Sequence, residues 1–146
     1  MEHYMKEALK EANKALGADE VPVGAVIVYE NQIIARAFND KERSQIAIRH
    51  AEILAIEEAS KYLGSWRLDN CDLYVTLEPC SMCAGAIIQS RLRRVVFGAT
   101  DTKSGALGGL YDMYEIQKFN HYPEVTRGIL QEECSQILKN YFKTKR

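Results

Sequence analysis

The sequence predicts an α/β fold, a three-layer α/β/α sandwich with a mixed β-sheet, built as one domain over residues 1–146. Three observations predict it. Helical and strand-like patterns alternate as helix, strand, strand, helix, strand, helix, strand, an order that calls for helices on both faces of one sheet. The chain has 146 residues, within the ~100–200 of a single domain. Its composition, 47% hydrophobic and 27% charged, suits a packed core and excludes collagen-like and disordered classes.

Over residues 4–16, Tyr4, Met5, Ala8, Leu9, Ala12, Ala15 and Leu16 recur at helical spacing with Lys6, Glu7, Lys10, Glu11 and Lys14 opposite, and Gly17 ends the helix. Residues 23–29 and 33–38 are β-rich runs separated by Glu30-Asn31-Gln32, close enough to form an antiparallel hairpin. Residues 39–49 are a polar loop. Residues 50–62 carry Ile53, Leu54, Ile56 and Ala59 at helical spacing, with Gly64 as the stop. A turn at Asp69-Asn70 leads into a strand over 73–77, and Pro79 marks the junction to a helix over 80–90. A strand over 93–99 precedes a Gly-, Ser- and Thr-rich loop at 101–109. The last helix covers 131–142. No repeat, low-complexity tract or Pro/Ser-rich linker interrupts this order.

Nineteen Lys+Arg against twenty Asp+Glu give a net charge of −1, so a polyanionic partner has to be held by a local basic patch. No window approaches the ~18 consecutive apolar residues of a membrane span, which predicts no membrane partner. The N-terminus lacks the basic and apolar regions of a signal peptide, so the expected location is cytoplasmic. Four cysteines in a chain of this length are not a disulfide scaffold and point to a site.

The chemistry concentrates in His50-Ala51-Glu52 and Pro79-Cys80-Ser81-Met82-Cys83, each at a predicted helix N-terminus. Residues three apart on a helix share a face, so Cys80 and Cys83 can aim both sulfurs at one ion. With His50 they make a Cys₂His set, a catalytic zinc arrangement when water takes the fourth position. Two thiolates offset the charge of Zn²⁺, so its water is acidified less than by a histidine-only site, and a neighbouring carboxylate is needed to take the proton. Glu52 is the candidate. Residues two apart on a helix point to nearly opposite sides, so His50 has to sit at the cap for both side chains to reach one site.

Together, His-x-Glu and Pro-Cys-x-x-Cys match the signature of the zinc deaminases, and the chain resembles the bacterial tRNA-specific adenosine deaminases of the cytidine deaminase superfamily. The resemblance runs through Val21-Pro22-Val23-Gly24-Ala25, Asn39, Tyr74-Val75-Thr76-Leu77-Glu78-Pro79-Cys80 and Val95-Val96-Phe97-Gly98-Ala99. It continues through Asp101-x-Lys103-x-Gly105, Asn120-His121 and Gly128-Ile129-Leu130, nearly the whole chain. It implies a cytidine deaminase-like fold, one zinc ion (Zn2+) per subunit on His50, Cys80 and Cys83, and Glu52 as general acid/base. It further implies substrate contacts from Val21, Asn39, Asp101, Lys103, Asn120 and His121, a homodimer, no organic cofactor, and a tRNA anticodon stem-loop as partner. The implied reaction is hydrolysis of adenosine to inosine at wobble position 34. Where many relatives carry Asp-Pro-Thr-Ala before the histidine, this chain has Ile46-Ala47-Ile48-Arg49.

Plainer readings stand beside these. The cysteine pair could be redox-active or a structural zinc site, Glu52 a first-turn carboxylate, Asn39 a turn residue and His121 a loop histidine. Cys71 and Cys134 read as packing residues. Trp66 reads as a lid on the core rather than a nucleobase platform. The tail cations Lys139, Lys143, Lys145 and Arg146, and the cluster Arg91, Arg93 and Arg94, are either phosphate contacts or solvated charge. The rival functions are deamination of a free base or nucleotide, guanine or cytidine, and a non-catalytic zinc or RNA-binding module.

Overall fold

Successive side chains on the strands point to opposite faces, and this alternation divides the core into two apolar clusters, one on each side of a five-stranded sheet. The computed structural model describes residues 1–116 and 118–145. Its elements are α1 (Glu2–Gly17), β1 (Gly24–Tyr29), β2 (Gln32–Phe38), α2 (Lys41–Ser44), α3 (Ala51–Leu63) and β3 (Cys71–Leu77). There follow α4 (Ser81–Gln89), β4 (Arg94–Ala99), α5 (Met113–Ile116), β5 (Glu124–Arg127) and α6 (Gln131–Thr144). The strand order is β2-β1-β3-β4-β5. Strand β1 runs antiparallel to β2 and β3, whereas β3, β4 and β5 are mutually parallel, so the sheet is mixed.

Ala25, Ile27, Leu73, Val75, Val95 and Phe97 line one face and pack on Ala51, Ala55 and Ala59 of α3 and Ala84 and Ile87 of α4. Val26, Val28, Tyr74 and Val96 line the other and pack on Met5 and Ala8 of α1 and Cys134 of α6. The sheet therefore lies between two helical layers, the predicted three-layer sandwich. Each fully buried Leu, Ile or Phe contributes ~1.5–3 kcal/mol, so these two clusters fix which face each helix covers. Helix α1 approaches β1 very closely, because a Cβ on Gly24 would lie 2.1 Å from the Ala8 carbonyl oxygen. Among the described residues no helix is long and apolar enough to cross a membrane.

The sequence reading needs correction in three places. Strand β5 falls in the tail, where no strand was expected: only Val125 of Glu124-Val125-Thr126-Arg127 is apolar, so this edge strand lacks the period-2 signature. Single-turn helix α2 interrupts the segment read as a polar loop, and single-turn helix α5 lies in the tail, to which no element was assigned before residue 131. Trp66 is not a core lid; its relative exposure is 60%, and Leu68, at 0%, closes the core there instead.

Candidate active site

Because β1 is antiparallel to both its neighbours, the C-terminal ends of β2, β3 and β4 lie together at one end of the sheet, and α3 and α4 begin there. Both helices start on a metal-ligand type. His50 is the N-cap of α3 and Cys80 the N-cap of α4, each with extended backbone (φ −80°, ψ 153° and φ −77°, ψ 179°), and neither side chain caps its own helix. For α3 that task passes to Asn39, whose Oδ1 accepts a hydrogen bond from the Ala51 N–H at 2.8 Å. The His50 ring is thereby left to face the cysteines. Its Nδ1 lies 3.6 Å from Cys80 Sγ and 3.6 Å from Cys83 Sγ.

The three ligand atoms lie within 4.8 Å of one another. Zinc at ~2.0–2.1 Å from nitrogen and ~2.3 Å from sulfur, in tetrahedral geometry, sets N···S at about 3.6 Å. The spacing therefore fits this ion. The donor chemistry agrees with it: hydrogen bonds from Cys83 and then His50 bring the Cys80 thiol down to about 4, whereas the Cys83 thiol, sharing its proton with Cys80 and buried, is pushed up. The cluster thus favours one thiolate by itself and a second only beside a cation.

Glu52 occupies the first turn of α3 and is 4% exposed. Burial pushes its carboxyl up to about 7; the charge of Cys80 adds to that, while its own backbone N–H, His50 and Cys83 oppose it. A carboxyl poised near neutrality can both accept and donate a proton.

The MafB19-like deaminase family model matches residues 1–146. A tRNA-specific adenosine deaminase from Bacillus subtilis (strain 168) is 54% identical over 142 residues, covering 97% of this chain and 88% of that protein. A solved structure from work on A-to-I editing by tRNA:A34 deaminases at the wobble position superposes with a TM-score of 0.90 at 43% identity, covering 93% of this chain and 99% of that one. The chain belongs to the tRNA-specific adenosine deaminase family. A guanine deaminase from Nitrosomonas europaea shares the fold at lower identity, with a TM-score of 0.78 and 26% identity over 96% of this chain and 83% of that one.

Other residues singled out in the sequence divide between the two ends of this deaminase's sheet. Val21 precedes β1 and Asn39 follows β2, both half-buried at the metal end. Asp101 follows β4 there too, and its Oδ1 accepts the backbone N–H groups of Lys103 and Ser104, shaping the loop and leaving the Lys103 side chain exposed. His121 lies elsewhere: its Nε2 meets the Leu92 carbonyl at 2.6 Å, at the N-terminal end of β4, and the exposed Asn120 lies beside it. Within one chain the structure does not bring these two residues to the metal cluster. Among the tail cations, Lys145 Nζ pairs with Asp19 at 2.6 Å in the α1–β1 connection, while Arg146 lies outside the described residues.

Two buried carboxylates at the deaminase's metal end escaped the sequence reading. Glu78 accepts the backbone N–H of Asp101 on Oε1 (3.0 Å) and those of Leu107 and Gly109 on Oε2 (2.9 and 2.8 Å), fastening loop 101–109 beside Pro79 and Cys80. Glu20 accepts the N–H groups of Glu42 and Arg43, holding the start of α2. The available signal was a glutamate inside an otherwise apolar strand-to-helix junction, where a buried charge requires donors.

Proposed function

We propose that this chain is a single-domain, zinc-dependent hydrolase that converts adenosine to inosine at wobble position 34 of a tRNA anticodon, in the cytoplasm and as a homodimer. The observation that carries the reading is the Nδ1–Sγ–Sγ triangle at the starts of two helices, with a buried carboxylate in the first turn of one of them. The 54% identity to a relative named for this activity supports the substrate.

His50, Cys80 and Cys83 would hold the zinc ion, which supplies an activated water when bound. Glu52 takes the two protons of the attacking water in turn, passing the first to the adenine ring nitrogen and the second to the departing amine. Water is consumed, and inosine and ammonia are released. Around this centre, Val21, Asn39, Asp101 and Lys103 line the entrance for an extruded loop base, and the tail lysines offer phosphate contacts. Self-association is supported by an apolar face beside α4, where Met82, Tyr111, Met113 and Ile116 surround a groove of about 370 Å³ next to Ser81. Asn120 and His121, remote from the metal within one chain, are assigned to RNA contacts made through the assembled dimer.

The test is inosine formation on an anticodon stem-loop with wobble adenosine, using zinc-loaded protein and Glu52→Gln, with free adenosine, cytidine and guanine alongside. Conversion of the RNA alone, falling ~10²–10⁴-fold in the variant at equal zinc content, is the expected result. The fold shared with a guanine deaminase makes free-base deamination the second reading, and ammonia release from guanine would select it.

A further inference from the structure

At the end of the sheet opposite the metal cluster, three connections are stitched together. Leu68 N–H donates to the Ser90 carbonyl at 2.7 Å, Arg93 N–H to the Cys71 carbonyl at 2.9 Å, and Glu124 N–H to the Arg93 carbonyl at 2.9 Å. The 13 residues of α3 put this end ~20 Å along the helix from the metal cluster. The connections display Trp66 at 60% exposure, although the core beneath it is already closed by Leu68.

The Trp66 ring has a cationic setting. The Arg67 guanidinium lies 5.4 Å from the ring centroid and that of Arg91 lies 5.9 Å away. Among the described residues Arg67 pairs only with Asp69, and both side chains are more than half exposed, so this pair is weak. Arg91 donates to the Ile88 carbonyl and pairs with no carboxylate among the described residues. The chain as a whole carries −1, so an exposed indole flanked by arginines is a local departure from its charge balance. An aromatic face beside guanidinium groups is the surface on which unpaired nucleobases and phosphates dock, through stacking and charge together. A purely apolar protein partner would have to desolvate both arginines.

From this we infer that Trp66, Arg67 and Arg91 form a second RNA-contacting surface, remote from the deamination centre, that engages the tRNA outside the anticodon loop by stacking on the indole and contacting phosphate. The inference rests on the RNA-substrate reading above.

Trp66 is the single tryptophan of the chain, so intrinsic fluorescence reports on this surface without a variant. Zinc-loaded protein is titrated with a full-length tRNA transcript bearing wobble adenosine, and indole emission, acrylamide quenching and inosine are followed in the same samples. Saturable quenching and protection from acrylamide at the RNA concentration that half-saturates deamination support the inference. Inosine formation with unchanged emission and accessibility overturns it while leaving the function intact. Quenching without inosine supports the surface and overturns the function. Emission that changes with protein concentration alone, and no further with RNA, assigns the patch to self-association and overturns the inference. As a second arm, Trp66→Ala and Arg91→Ala should raise KM for full-length tRNA by about ten-fold with kcat unchanged, and Trp66→Phe should restore it. Arg91→Ala should also lower the salt slope of binding by about one.

Discussion

Loops 41–49 and 101–109 flank the metal cluster from opposite sides and are built on different principles. Loop 101–109 is folded around Glu78: three backbone N–H groups converge on one buried carboxylate, and Gly105, Ala106 and Leu107 are buried in turn. Loop 41–49 is held only at its base, where buried Glu20 accepts the N–H groups of Glu42 and Arg43. Asp40 pairs with Arg43 at 2.8 Å and Arg49 at 3.2 Å and donates its own N–H to the Arg49 carbonyl, while Ile46, Ala47 and Ile48 stay exposed. The first loop is therefore part of the scaffold that carries Cys80, and the second is a rim whose tip can change without disturbing the ligands. Of the Ile46-Ala47-Ile48-Arg49 departure, the first three residues fall at this exposed tip, whereas Arg49 belongs to the tie.

The largest expected effect comes from Glu78→Ala, which strands one buried and two partly buried backbone donors. We expect a loss of at least ~3 kcal/mol in urea unfolding, at ~1–3 kcal/mol for each of the three unsatisfied donors, together with a marked fall in kcat/KM. An equal loss from Asp40→Ala would erase the contrast between the loops.

Gly109→Ala comes next. A Cβ there would lie 2.2 Å from the Asp101 carbonyl oxygen and 2.4 Å from Glu78 Oε1, with backbone on one side and a fixed carboxylate on the other. Overpacking of this kind costs ~1–3 kcal/mol, measurable as a lowered melting temperature. A wild-type melting temperature would mean that the loop is looser than its hydrogen bonds indicate.

Third, the tie at the base of loop 41–49 depends on pH. Arg43 and then Arg49 hold the Asp40 carboxyl below its ordinary value of 3.8. An acid lowered on folding contributes stability that is present above its unfolded value and lost as pH falls through its folded one, so the tie weakens below about pH 4. Proteolysis within residues 41–49 should accelerate there, and Asp40→Asn should make that rate nearly independent of pH. A wild-type rate that stays flat between pH 5 and 3 would show that the ion pairs are not what fastens this rim.

The smallest effect on stability is expected from Ile46→Ser with Ile48→Ser, within about 0.5 kcal/mol, because both side chains already face solvent. If the rim touches RNA, KM moves while the melting temperature does not. A large drop in melting temperature would make the tip part of the scaffold after all.

The same contrast shows what could be read from the sequence. Helical and strand periodicity located the four long helices and the four strands β1 to β4 to within a few residues, because each buries a regular apolar face. His50, Cys80 and Cys83 were legible because ligand types at helix starts form a pattern. Strand β5 was not legible because an exposed edge strand carries no such face. Nor was the work of Glu78 and Glu20, whose partners are backbone N–H groups distant in sequence that no pattern names. Trp66 was misread because hydrophobicity alone could not say that Leu68 would fill the space beneath it.

The Asn39 cap has a consequence for how the donor set is assembled. His50 presents its ring to the cysteines while Asn39, eleven positions earlier at the end of the β1–β2 hairpin, satisfies the first free N–H of α3. The cysteines follow β3, on the other side of the sheet's antiparallel-to-parallel switch, so the three donor side chains meet only where β3 is paired with the hairpin. A chain whose first hairpin stayed unpaired from β3 would therefore hold the His50 and cysteine donor atoms apart, so completeness of this donor set reports on completeness of the sheet.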